Sequence, residues 1–280
     1  MSYKIIGDSC MDCTPELLAT GKIKLVPLIL EVGGMRVTDD ENFDQCSFLK
    51  AVSECEDAAK TACPSPQAFM EAYEGEEERV YCVTLSQHLS GSFNAATLGR
   101  EMYYEEHEED GKKIAVFSSD SASVGETLIA MKIMELEREG MSFEEVCEQV
   151  AEYIYNQTTY FVLDNLETLR KNGRLTGLTA LVASVLNIKP LMAGDHGVIV
   201  KVGQERGTKR ALQKMAANCA LNVKNPEKRI FAIAHCNCRE RAEFVIREVK
   251  KMVSFKDYYV TNTAGVSTVY ANDGGIIVSY

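Results

Sequence analysis

Residues 79–96 read Arg79-Val-Tyr-Cys-Val-Thr-Leu85-Ser86-Gln-His-Leu89-Ser90-Gly91-Ser92-Phe93-Asn-Ala-Ala96. The run from Arg79 to Leu85 is apolar and rich in β-branched and aromatic side chains, the pattern of a buried strand. It stops at a cluster of small hydroxyl residues, and a helical pattern takes over from Ser92 to about Glu106. The same succession recurs on either side. Tyr3–Gly7 ends at Asp8-Ser9, and Lys113–Phe117 runs into Ser118-Ser119-Asp120-Ser121-Ala122-Ser123. After Ser123, Val124, Leu128, Met131 and Leu136 return at helical spacing as far as Glu139. Leu25–Glu31 reads as a further strand, and Ser47–Glu54 and Pro66–Tyr73 as further helices. Strands alternating with helices predict crossover units and an α/β fold with a mainly parallel sheet. Ligands of such sheets sit beyond the carboxyl ends of the strands.

The second half has a different rhythm. Thr159–Leu163, Val198–Val202, Arg229–His235, Phe255–Thr261 and Gly275–Ser279 read as strands. Helices are expected around Asn165–Arg170, Gly177–Leu186, Thr208–Val223 and Arg239–Val253, the second stopped by Ile188-Lys-Pro190. Two α/β domains follow, residues 1–158 and 159–280, with the second completing any site that the first begins.

Composition narrows the function. A chain of 280 residues, 46% hydrophobic and 25% charged, has an ordinary globular make-up, and no stretch approaches a membrane span. With no export signal at the start, a cytoplasmic protein is expected, its ten cysteines thiols rather than a disulfide framework. The net charge of −11 argues against nucleic acid, which needs clustered Lys and Arg. Glu74–Glu78 and Glu105–Asp110 read as solvated acidic runs.

Four hydroxyl-rich turns on one sheet edge would make a rim of hydroxyls and helix N-termini suited to an anionic head group. Enzyme chemistry is less well served. Gly7-Asp8-Ser9 is similar to the opening of a GDSL-type hydrolase, but the late Asp-x-x-His that would supply its base is missing. GxSxG, GxxxxGK[ST] and GxGxxG are missing too. An esterase using Ser9 or Ser90 remains the competing reading. Cys10-Met-Asp-Cys13 and His235-Cys236-Asn-Cys238 could hold zinc or act in redox chemistry, yet the single residue between Cys236 and Cys238 is short of usual ligand spacing. Arg174, displayed after the turn dipeptide Asn172-Gly173, and Arg206, before Gly207-Thr208, are candidate clamps for a carboxylate or phosphate.

These segments resemble the DegV family of bacterial fatty-acid-binding proteins along the whole chain. Ile6-Gly7-Asp8-Ser9 with Asp12, Thr61-Ala-Cys-Pro64-Ser65, and Leu85-Ser86-Gln-His-Leu89-Ser90-Gly91-Ser92-Phe93 are similar to family motifs in order. So are Asp120-Ser121 with Ser123 and Gly125, Leu166–Leu175, and Leu186-Asn-Ile188-Lys189-Pro190-Leu191. The resemblance implies a two-domain α/β binding protein that buries a long-chain fatty acid in an apolar tunnel. It needs no metal or other cofactor and has no catalytic residue. A fatty acid kinase is the implied partner, phosphorylating the bound carboxylate to an acyl phosphate for lipid synthesis. By position, Thr61, Ser90, Gly91, Ser92 and Tyr270 become lipid-binding residues, with Arg174 and Arg206 handling phosphate or contacting the kinase. Two departures stand out. Ala62-Cys63 replaces a Ser-Gln pair, and Tyr270 stands where the family often has a histidine, offering a phenol but no imidazolium.

Overall fold

A computed structural model describes residues 2–107, 111–175 and 187–280. The helix expected over 177–186 and the end of the second acidic run lie outside the described residues.

The opening motif is built as read. β1 (Tyr3–Asp8), β2 (Ile23–Val26), β6 (Arg79–Thr84) and β7 (Lys113–Ser118) form a parallel sheet in the order β2-β1-β6-β7. All six residues of β6 are buried, as a central strand covered on both faces requires. On one face α3 (Pro66–Tyr73) and α4 (Ser92–Glu106) bring Phe69, Tyr73 and Tyr103 onto Ile6, Val80 and Cys82. On the other, α5 (Val124–Arg138) and α6 (Phe143–Asn156) pack Ile129, Ile133, Val146 and Val150 onto Ile5, Tyr81 and Val83.

The expected strand Leu25–Glu31 is two strands in different sheets. Pro27 has no N–H for a ladder and separates β2 from β3 (Ile29–Val32). β3 lies between β4 (Met35–Thr38) and β5 (Lys60–Ala62) in a small antiparallel sheet, with Leu30 opposite Thr61. The remaining elements of this half are α1 (Pro15–Leu18) and α2 (Gln45–Glu54).

A six-stranded sheet begins with β8 (Thr159–Val162) and has the order β10-β9-β8-β13-β11-β12. Its strands are β9 (Ile188–Asp195), β10 (Val198–Arg206), β11 (Ile230–His235), β12 (Asp257–Asn262) and β13 (Ile276–Ser279). Only β11 and β12 pair in parallel. One face is covered by α8 (Thr208–Asn222) and α9 (Arg239–Lys250), which bury Leu212, Met215, Val245 and Val249 against Tyr160, Leu191, Phe231 and Val278. The other face meets α5, whose Val124 and Leu128 pack on Ala232 and Ala234. Two further short helices among the described residues are α7 (Glu167–Lys171) and α10 (Gly265–Ala271), which packs Val266 and Val269 onto Leu28 and Leu30 of the first half.

Candidate functional site

Between the two larger sheets lies a narrow apolar cavity. It holds about 750 Å³ of atom-free space including its open mouth, of which about 100 Å³ admits the centre of a water molecule. Its walls include Leu85, Leu89, Phe161, Leu163, Leu169, Ile199, Val266 and Ile277. Thr159 and Leu163 both face it, and four steps of about 3.3 Å along an extended chain make that length about 13 Å. At the Leu163 end, Leu89 and Tyr270 pack on the cluster of Leu163, Leu166 and Leu169. At the Thr159 end the wall turns polar, with Ser121 and Asp120 beside Thr159 and Gly194.

Of the residues expected to hold a head group, Tyr270 lines the cavity, whereas Thr61, Ser90, Gly91 and Ser92 do not; the hydroxyls among them form two pairs. Thr61 on β5 and Tyr270 on α10, 209 positions apart in sequence, share a hydrogen bond of 3.0 Å between hydroxyls. Ser90 and Ser92 share another of 3.0 Å, and the Ser92 N–H donates to Ser90 Oγ at 3.2 Å. Gly91 caps α4 without a side chain, so the first-turn N–H groups of a 15-residue helix receive no side-chain partner from the cap. A Cβ on Gly91 would come within 3.0 Å of Cys63 Sγ, so the end of β5 and the start of α4 lie close together. Thr61, Ser90 and Tyr270 are half-buried, which leaves their oxygens within reach of a ligand.

The two arginines are placed differently. Gly173, at φ 74°, turns the chain after α7 and lets Arg174 line the cavity. Its Nε donates to the Leu89 carbonyl at 3.1 Å and its Nη1 to the Asn172 carbonyl, two of the five donors a guanidinium carries. Arg206 is exposed at the end of β10 and does not line the cavity.

Beneath the head-group end lies a buried acidic web that sequence reasoning did not assign to the site. Asp8 accepts the Leu85 N–H at 2.9 Å and the Cys10 N–H at 3.1 Å, fixing the entry to the Ser86–Ser92 turn. Ser9 donates to Asp39 at 2.8 Å and accepts the Leu28 N–H at 3.0 Å. That hydroxyl is committed to the fold and 2% exposed, a poor position for a nucleophile. Asp12 accepts from Ser123 Oγ and from the Ala264 N–H. Burial raises Asp12 to about 7 and Asp39 to about 6, despite the hydrogen bonds each accepts. Burial, with the Asp8 carboxylate adding to it, pushes Glu126 well above the ordinary carboxylate range. The available signal was the pair of Asp residues at the ends of β1 and β4, too generic to separate from caps and turns.

Cys10, Cys236 and Cys238 are buried, and burial raises each thiol. Among the described residues no group of three or more His, Cys, Asp and Glu is placed to hold a metal ion. No helix among them is long and apolar enough to cross a membrane.

Comparison with known proteins agrees with this architecture. The sequence model of the DegV family, described as uncharacterised protein, matches residues 2–280. A DegV domain-containing protein of Streptococcus pneumoniae is 31% identical over all of this chain and 99% of its own length. Among solved structures, a DegV family protein from Ruminococcus gnavus, refined with vaccenic acid, is 51% identical. It superposes at a TM-score of 0.97, with both chains fully covered. The Fatty Acid Kinase (Fak) B3 protein of S. pneumoniae, loaded with linoleic acid, is 29% identical at a TM-score of 0.89, covering 100% of this chain and 99% of its own.

Proposed function

Because the chain belongs to the DegV family, we propose that it is a cytoplasmic fatty-acid carrier rather than a stand-alone enzyme. The observation that carries this reading is the narrow apolar cavity lined by Leu89 and Tyr270, with the hydroxyl of Thr61 bonded to Tyr270 and the Ser90–Ser92 pair directly after Leu89. The acyl chain lies along β8, where each buried methylene contributes about 0.8 kcal/mol. The carboxylate sits among Thr61, Ser90, Ser92 and Tyr270, near the start of α4. Neutral donors hold the ionised oxygens and leave them accessible. A fatty acid kinase takes up the complex and converts the carboxylate to an acyl phosphate for lipid synthesis, with Arg174 and Arg206 serving the phosphoryl group or the kinase surface. Residues 1–158 supply the hydroxyl rim, and residues 159–280 supply β8, β9, β13 and α10.

The test is extraction of protein purified without detergent or denaturant from a bacterial host. Near-stoichiometric long-chain fatty acid is expected. No extractable lipid, together with no uptake of added oleic acid, would overturn the proposal.

A further inference from the structure

Helix α10 carries Tyr270 into the head-group site but supplies no side-chain cap of its own, since Ala264 precedes it. Its first N–H groups go instead to carboxylates more than two hundred positions earlier in the chain. Asp12 takes the Ala264 N–H at 2.6 Å, and Asp39 takes those of Gly265 and Val266 at 2.7 and 2.9 Å. Gly265 permits this closeness, because a Cβ there would lie 2.5 Å from Asp39 Oδ1 and 2.6 Å from Leu30. One helical turn beyond Val266, Tyr270 meets Thr61. Asp39 directly follows β4, and Thr61 lies on β5 of the same small sheet. Helix α10 is therefore fastened to one sheet at two points, by its N–H groups at one end and by its tyrosine at the other.

From this two-point attachment we infer that Asp39 is a positioning residue for the Tyr270 phenol, and so for recognition of the ligand's carboxylate. The inference rests on the reading of the hydroxyl pairs as the head-group site. Asp39→Asn keeps the size of the side chain but turns one acceptor into an N–H₂ donor facing backbone N–H groups. A helix start that shifts there carries the tyrosine away from Thr61 and moves Val266, while the apolar walls from Leu85, Phe161, Leu163 and Ile277 stay in place.

Binding of oleic acid and of methyl oleate to lipid-free protein separates these effects, since only the acid presents a carboxylate. Asp39→Asn should weaken oleic acid about tenfold and methyl oleate less than twofold. In a Tyr270→Phe background it should add less than twofold for the acid. Equal weakening of acid and ester, or the full tenfold loss without the phenol, would overturn the positioning role. If Tyr270→Phe alone binds oleic acid as the parent does, the head-group reading fails and takes the inference with it. Should Asp39→Asn not fold, Gly265→Ala, which crowds the same carboxylate, must show the same acid-over-ester loss or the inference falls.

Discussion

Both ends of the cavity carry hydroxyl side chains, yet the two ends are built for different tasks. At the Thr159 end, Ser121, Thr159 and Ser279 form a buried chain at 2.7 and 3.0 Å, and Ser279 also donates to the Thr158 carbonyl. Those hydroxyls are at most 8% exposed and satisfy one another. At the Leu163 end, Thr61, Ser90 and Tyr270 are half-buried. Thr61 and Tyr270 bond each other as a simple pair, whereas Ser92, the partner of Ser90, is buried and also bonds Asp8. Residue type alone does not tell a binding hydroxyl from a structural one. What separates them is whether each lone pair and proton already has a partner, because a satisfied buried group gains nothing from a ligand.

The largest expected effect tests the open end. Thr61→Ala combined with Ser90→Ala removes two hydrogen bonds to an ionised oxygen, roughly 1.5–3 kcal/mol each. Affinity for oleic acid should fall about a hundredfold or more, measured by calorimetry on lipid-free protein. A loss under threefold would place the carboxylate elsewhere. Next in size is Arg174→Ala. Acyl-phosphate formation with a cognate kinase should drop at least about tenfold, and lipid occupancy should stay close to one per chain, because among the described residues the guanidinium bonds main-chain oxygens. Arg174→Lys should recover only part of the rate, since an ammonium lacks the planar fork. An empty cavity in Arg174→Ala would show that the arginine, not the hydroxyl rim, holds the head group.

The sequence made some of this comparison legible and hid the rest. The strand, hydroxyl turn and helix across residues 79–106 were readable because each signal is local: a buried run, small hydroxyls, then helical spacing. Helix α6, absent from the expected helices, carries equally local signals, the Ser142–Glu145 capping box and Val146 with Val150 one turn apart. Ile188-Lys-Pro190, read as a helix stop, also opens β9, which pairs with β10 from Ile188 to Asp195 and with β8 at Met192 and Ala193, partners that no local pattern announces. Helix α10 could not have been read locally. Gly265, Val266, Ser267 and Thr268 are poor helix formers, and the groups that cap it arrive from Asp12 and Asp39. The division between open and saturated hydroxyls was equally hidden, since Ser121, Thr159 and Ser279 meet only once the sheets are packed.

A smaller effect is expected at the closed end. Thr159→Val removes the middle of the hydroxyl chain and leaves Ser121 and Ser279 short of a partner, a loss of about 1–3 kcal/mol in folding stability. Binding of oleic acid and methyl oleate should change by the same factor, below about threefold. Chemical denaturation and ligand titration on one preparation check both halves. A selective loss of the acid would mean that the carboxylate reaches this end, and the orientation of the ligand would be reversed.

The last difference between the ends is electrostatic. The open end is underpinned by the buried carboxylates Asp12 and Asp39, whereas the buried Ser121–Thr159–Ser279 chain at the other end is neutral, so the first should make stability depend on pH. Asp12 and Asp39 have folded values of about 7 and about 6, raised from 3.8 by burial. Between those limits the folded chain holds more protons than the unfolded one, so its stability falls as pH rises. Their contribution is complete below about pH 4 and is lost through pH 6 and 7, the reverse of a salt-bridged carboxylate. Each group can add a slope approaching about 1.4 kcal/mol per pH unit, the free-energy equivalent of one proton. Urea denaturation of lipid-free protein at steps between pH 4.5 and 7.5 should show this fall. Asp39→Asn should flatten the lower part of the curve, by about 1 kcal/mol per pH unit, while Thr159→Val shifts the whole curve without changing its slope. If Asp39→Asn leaves the slope untouched, the hydrogen bonds from Ser9, Gly265 and Val266 outweigh desolvation, and Asp39 is ionised throughout the range.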